Sequence, residues 1–273
     1  MQIDLRATLM ESGQCFRWRE TPLGFATVLD GRAVFLRPDM DLTGNDARTR
    51  TLRHYLDLDR DYAALREEFA AYPIARQALE LYPGLRVLNQ PVWDTVVSFI
   101  LSANNNVGRI MKLVGALSAA YGACVETEAG PLYALPEPEA LAALREEDLR
   151  RLGVGYRAPY LIGTARKVVE GFPLEALRTL PYEEAHRRLL ELPGVGDKVA
   201  DCILLFGCGQ ASAFPVDVWV ERLLGEWFGL YAPTRPALKR LAREKFGPHG
   251  GLMQQYLFHA ARMGAISPEE FAG

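Results

Sequence analysis

Apolar and polar positions along this chain follow two regimes. Up to about residue 50, short runs rich in β-forming residues alternate with turn signals: Phe16-Arg17-Trp18-Arg19, Phe25-Ala26-Thr27-Val28-Leu29 and Ala33-Val34-Phe35-Leu36. Asp30-Gly31, between the last two, is a two-residue hairpin signal because both residue types tolerate positive φ. A small antiparallel sheet is predicted there. From about residue 60, apolar residues repeat at helical spacing, beginning with Tyr62, Leu65 and Phe69. Proline and glycine then punctuate a series of helices. Pro91 opens one that carries Val96, Val97, Phe99, Ile100 and Leu101 and ends near Asn104-Asn105-Asn106; another begins around Val107. One helix is expected from Pro136 and Pro138 through Leu149, and others over 158–169, 182–192, 197–206, 217–228, 236–246 and 251–263. The expected fold is therefore α+β. An N-terminal antiparallel-sheet domain with a trailing helix (1–85) precedes a mainly helical region (86–273), with a helix–hairpin–helix at about 185–206.

Composition narrows the class without deciding it. With 273 residues, 49% hydrophobic and 24% charged, the chain has room for a sizeable core. No apolar run reaches the ~20 residues that span a bilayer, and Met1 to Arg6 lead into no secretory-type apolar stretch. A cytoplasmic protein is expected. Cys15, Cys124, Cys202 and Cys208 form no Cys-x-x-Cys pair, and His54, His186, His249 and His259 show no ligand spacing, so no metal centre is expected. The net charge of −3 disfavours a simple electrostatic DNA binder. Locally, however, residues 149–169 contain Arg150, Arg151, Arg157, Arg166 and Lys167 and no acid.

Leu192-Pro193-Gly194-Val195-Gly196-Asp197-Lys198 is the segment where chemistry concentrates. Gly194 and Gly196 allow a sharp turn, and the helix that follows presents free N–H groups to a phosphate oxygen. The glycines alone fit a plain helix–turn–helix corner equally well. Lys198 lies in the first helical turn, where the macrodipole disfavours a cation, a setting that suits an amine required to shed its proton and attack carbon. Pro215-Val216-Asp217 places a carboxylate at the expected N-cap of the next helix, where it can both cap and stabilise positive charge developing on a sugar.

Taken together, these residues resemble the 8-oxoguanine DNA glycosylase/AP lyases of the helix–hairpin–helix superfamily. Ser12-Gly13-Gln14-Cys15-Phe16-Arg17-Trp18, Ser98-Phe99-Ile100 through Asn104-Asn105-Asn106 to Arg109, Gly155-Tyr156-Arg157-Ala158 and Gln254 to Phe258 match in order, so the resemblance spans nearly the whole chain. It implies a monomeric enzyme of the cytoplasm and nucleoid acting on double-stranded DNA. Lys198 would be the nucleophile and Asp217 its electrostatic partner. Cys202 and Phe258 would stack on the two faces of a flipped purine, Gln254 would pair with its Watson–Crick edge, and the Gly13 carbonyl would accept from N7–H. Asn104, Arg109, Tyr156 and Arg157 would manage the estranged cytosine, and Gly194, Val195 and Gly196 would hold a phosphate. No cofactor is implied beyond a monovalent cation at the hairpin. Trp219 stands where eukaryotic relatives have a phosphate-contacting histidine, and Cys15 where serine is common. Three alternatives are weighed. An alkylpurine glycosylase would lack the lysine, an endonuclease III-type enzyme would have the cysteine cluster, and a non-catalytic hairpin module would not combine Lys198 with Asp217.

Overall fold

The structure is a computed structural model that describes residues 3–44 and 46–266. Met1 and Gln2, which open the segment read for a secretory signal, lie outside the described residues, as does the end of the helical region. Strands β1 (Arg19–Thr21), β2 (Gly24–Leu29) and β3 (Arg32–Leu36) form an antiparallel sheet in the order β1-β2-β3. Asp30 and Gly31 both take positive φ in the β2–β3 turn, as the hairpin signal requires. Phe16 to Trp18 precede β1 instead of forming it. Their side chains part company: Phe16 enters the main core edge-on to Phe99, whereas Trp18 joins the sheet's own core and donates to Tyr55 Oη at 2.9 Å.

Helix forms earlier than the periodicity predicts. A π-helical turn (Ala7–Glu11) precedes the sheet, and α1 (Ala47–Tyr55), capped by Asp46, follows it, before α2 (Tyr62–Glu68) and α3 (Pro73–Leu81). Then come α4 (Val92–Ser102), α5 (Val107–Tyr121) and a two-stranded hairpin, β4 (Cys124–Val125) with β5 (Leu132–Tyr133), whose Val125 and Leu132 pack beneath Ala26 and Val28 of β2. The helix expected through Leu149 is two, α6 (Pro138–Ala142) and α7 (Glu146–Arg151), because Asp148 accepts from the Arg145 backbone and side chain and starts a new helix there. The remainder is α8 (Ala158–Val169), α9 (Tyr182–Leu189), α10 (Asp197–Phe206), α11 (Val218–Phe228), α12 (Arg235–Phe246) and α13 (Gly250–Arg262).

The main core extends into both regions. Phe16, Tyr62, Leu65, Phe69 and Ile74 are buried with residues of α4, α10 and α13. Tyr256 on α13 donates to Leu85 O at 2.6 Å, and Gln255 donates to Ser12 O at 2.7 Å. The loop before the sheet is thereby tied to α13, which brings segments more than 240 residues apart in sequence to one site.

Candidate active site

The glycine turn sits on α8. Thr164 Oγ1 donates to Pro193 O at 2.8 Å, and a Cβ on Gly194 would stand 2.6 Å from Tyr160 Cβ. Gly194 also has φ +79°, so both space and backbone require glycine there. Gly196 is the N-cap of α10 and supplies no side-chain cap. The first-turn N–H groups thus keep their affinity for an anion.

Lys198 reaches from the first turn of α10 toward the end of α4. Its Nζ lies 3.4 Å from Ser102 Oγ and 5.4 Å from the centroid of the Phe99 ring. Phe99 and Ser102, three residues apart, share a helix face, which is the one signal that could have named them as its neighbours. Cys202, one turn after Lys198, is buried, and burial pushes its thiol up to about 12. It is therefore a neutral packing surface. Lys198 also interacts with its sulfur directly, and the charge of Asp217 is felt there. Asp217 is the N-cap of α11, accepting from Val220 N at 2.9 Å, with Val218 and Trp219 beyond it 64% and 61% exposed.

Gln254 reaches the segment that leads into Asp217: its Nε2 donates to Pro215 O, while its buried Oε1 has no partner. Phe258, one turn later, is half-buried, and its ring edge is 3.4 Å from where a Gly13 Cβ would be. Gly13 has φ +70°, and its neighbours are fixed on both sides. Ser12 O accepts from Gln255, and the Gln14 amide donates to Arg86 O and accepts from Leu88 N, each at 2.8 Å. Gly13, Cys202, Gln254, Phe258, Lys198 and Asp217, from four chain segments, thus converge.

A second cluster surrounds the loop after α4. Its three asparagines differ. Asn105 Nδ2 donates to Leu101 O at 3.1 Å, and Asn106 caps α5 by accepting from Arg109 N at 3.0 Å, both helix-end roles. Asn104 instead projects from a left-handed backbone (φ +49°) and is exposed. Tyr156 Oη donates to Ala103 O at 3.2 Å. Arg157 is 4% exposed and donates to Ala103 O at 3.0 Å, Asn104 O at 3.1 Å and Val154 O at 3.3 Å. Its guanidinium also stacks on Tyr156, 4.5 Å from the ring centroid. Arg109 is exposed in the first turn of α5. Tyr160, unnoticed in the sequence, joins the two clusters, packing on the hairpin and standing edge-on to Tyr156 at 6.3 Å.

The basic run over 149–169 is not a bare positive patch. Arg150 pairs with Glu146 at 2.8 Å, Arg151 with Asp148 at 3.0 Å, and Arg166 donates to Ala142 O at 3.2 Å. The acids lie just upstream of the run.

Comparisons with known proteins fall in line with this geometry. Residues 97–248 match the HhH-GPD superfamily of base excision DNA repair proteins, and residues 1–96 match the 8-oxoguanine DNA glycosylase N-terminal domain. A probable N-glycosylase/DNA lyase of Methanothermobacter thermautotrophicus is 30% identical over 96% of this chain and 95% of its own length. An N-glycosylase/DNA lyase of Arabidopsis thaliana is 32% identical over 91% of this chain and 75% of its own. Among solved structures, the Clostridium acetobutylicum 8-oxoguanine glycosylase/lyase in complex with double-stranded DNA containing cytosine opposite 8-oxoguanine superposes with a TM-score of 0.87. It is 32% identical, covering 97% of this chain and 93% of that one. The chain belongs to the HhH-GPD superfamily of base excision DNA repair proteins. Within it, the chain has the two-part architecture of the 8-oxoguanine glycosylase/lyases.

Proposed function

We propose that this protein excises 8-oxoguanine paired with cytosine from duplex DNA and then cuts the abasic strand as a lyase. The observation that carries the proposal is the buried, unpartnered Gln254 Oε1, on a side chain held by the carbonyl of Pro215 two residues before Asp217. An unmet buried acceptor costs about 1–3 kcal/mol in the free protein. That cost is recovered when a guanine-type edge, with N1–H and N2–H donors, enters. The base must leave the stack to get there. Cys202 and Phe258 then form its two walls, and the Gly13 carbonyl accepts from N7–H of the oxidised base while facing a lone pair in ordinary guanine. Leaving that polar group unmatched rejects the undamaged base.

The chemistry follows from the amine. Lys198 Nζ attacks C1′, and the base departs with the electron pair of the glycosidic bond while the lysine nitrogen gives up a proton. The sugar ring opens to a Schiff base. Loss of a C2′ proton expels the 3′ phosphate, and water releases the lysine. Asp217, fixed by its capping bond to α11, stabilises positive charge as the glycosidic bond lengthens. Gly194, Val195 and Gly196 hold a backbone phosphate. Asn104 fills the vacated position, Tyr156 wedges beside the orphaned cytosine, and Arg109 and Arg157 donate to its O2 and N3.

A monovalent cation fits the hairpin through carbonyls. Pro193 O and Leu192 O each accept one hydrogen bond, from Thr164 Oγ1 and Val195 N, and each retains a lone pair. Such neutral donors suit a weakly held ion, which would stiffen the turn. No described helix is long and apolar enough to cross a membrane, and a monomer acting on the nucleoid in the cytoplasm accords with this reading.

The test is borohydride trapping on duplexes carrying 8-oxoguanine opposite each of the four bases. Trapping should be strongest opposite cytosine. Equal trapping on undamaged guanine duplex contradicts the assignment.

A further inference from the structure

The hairpin contains a contradiction that the fold resolves. Asp197 is the first residue of α10, at the helix terminus that is to receive a DNA phosphate. A carboxylate there is favoured by the same dipole and competes with the phosphate for it. Its charge is drawn inward. Asp197 Oδ1 lies 2.7 Å from Lys239 Nζ and 3.2 Å from His186 Nε2. Lys239, on α12, has a side chain only 7% exposed. It also donates to Asp201 Oδ2 at 3.0 Å, and its Nζ stands 3.1 Å from His186 Nε2. Asp201 is fully buried, and its other oxygen accepts from Tyr182 Oη at 2.6 Å. Arg243 stacks on that tyrosine at 3.4 Å. The hydrogen bonds from His186 and then Lys239 hold the Asp197 carboxyl down to about 2.

Lysine normally runs its stem along the surface and leaves its charge in water. Burying the ammonium is unfavourable unless good partners replace the water. Here it stands among His186, Asp197 and Asp201, a grouping tight enough to hold a metal ion, and it fills the position that such an ion would take. Asp201 alone would neutralise it. The second carboxylate, Asp197, is the one at the hairpin mouth.

We propose that Lys239 is a positioning residue for DNA. Its buried ammonium turns the Asp197 carboxylate away from the hairpin mouth and balances its charge, so that the first-turn N–H groups of α10 are left to a phosphate. The proposal rests on the DNA-binding reading above and assigns to Lys239 no contact with DNA.

The experiment measures binding of a duplex with a tetrahydrofuran abasic analogue opposite cytosine. Lys239→Met keeps the length of the stem and removes the charge. It should weaken binding by about ten-fold, the scale of one uncompensated charge near a phosphate. Adding Asp197→Asn to Lys239→Met should restore binding to within about three-fold of the unsubstituted protein, because the carboxylate at the hairpin mouth is gone and Asp201 lies buried behind it. A packing defect would not be repaired in that way. If Lys239→Met binds normally, or the double variant binds as weakly as the single one, the proposal is wrong. Should Lys239→Met fail to fold, Asp197→Asn alone decides: equal or tighter binding supports the proposal, and weaker binding overturns it. Failure of the unsubstituted protein to bind the duplex would instead overturn the DNA-binding reading itself.

Discussion

The lesion pocket and the opposite-strand cluster are built on opposite plans. In the first, groups are held in place with valences unspent. Gln254 Oε1 is unpartnered, Lys198 meets a serine hydroxyl at 3.4 Å, an aromatic face and the Cys202 thiol but no carboxylate among its described contacts, and Gly13 is pinned by bonds to its neighbours. In the second, donors are already spent on the protein. Arg157 binds three carbonyls, two of them in the loop that carries Asn104, and Tyr156 shares one of these. On the proposed reading, the lesion side offers its unspent acceptor directly, whereas the opposite-strand donors must release their own loop before they can read a cytosine. The proposal thus links cytosine preference to the stability of the 103–106 loop.

Several substitutions would break or sharpen that contrast. The largest effect is expected from Asp217→Asn. Asparagine caps helices as well as aspartate does, so the fold should hold, yet base release should slow by about 100-fold or more in single-turnover kinetics. Duplex binding should stay nearly intact. Gln254→Leu should cost about 30-fold in excision but only about 1 kcal/mol of stability, because it removes the Nε2 bond to Pro215 O together with an acceptor that was unpaired in the free protein. A much larger loss of stability would show that the acceptor is paired in the free protein. Arg157→Ala should do the reverse, removing about 2 kcal/mol of stability in denaturant titrations by leaving the loop carbonyls short of donors, and relaxing the preference for cytosine.

A smaller effect tests the lesion side by pH. His259 follows Phe258 on α13, is fully buried edge-on to Tyr82, and has no partner at either ring nitrogen. Burial holds it neutral, down to about 4 from its ordinary 6.5. The unfolded chain therefore binds this proton more readily. The stability His259 contributes is complete above pH 6.5 and is lost as pH falls toward 4, at about 1.4 kcal/mol per pH unit. Denaturant titrations across that range should show the slope, and His259→Leu should flatten it. The smallest effect on stability, within about 0.5 kcal/mol, is expected for exposed Arg109→Ala, which should nonetheless relax opposite-base preference.

Much of the site was legible because it is local. Positive φ at a tight turn, a carboxylate at an N-cap, and Gln254 one helical turn before Phe258 all follow from short-range rules, and the structure places each of these as those rules require. What escaped depends on contacts between distant segments. Phe16 to Trp18 alternate like a strand, but their rings feed two different cores. Arg150 and Arg151 pair with acids lying just outside the 149–169 window. Nothing near Asp197 announces Lys239, which α12 delivers to it, and only packing reveals that Tyr160 faces Gly194.

The central claim is that Lys198 forms a covalent bond with the damaged nucleotide. Its most direct test is borohydride trapping of Lys198→Gln on an 8-oxoguanine:cytosine duplex, with binding to the same duplex measured alongside. The account predicts that the trapped species disappears while binding persists; trapping that survives the substitution would contradict it.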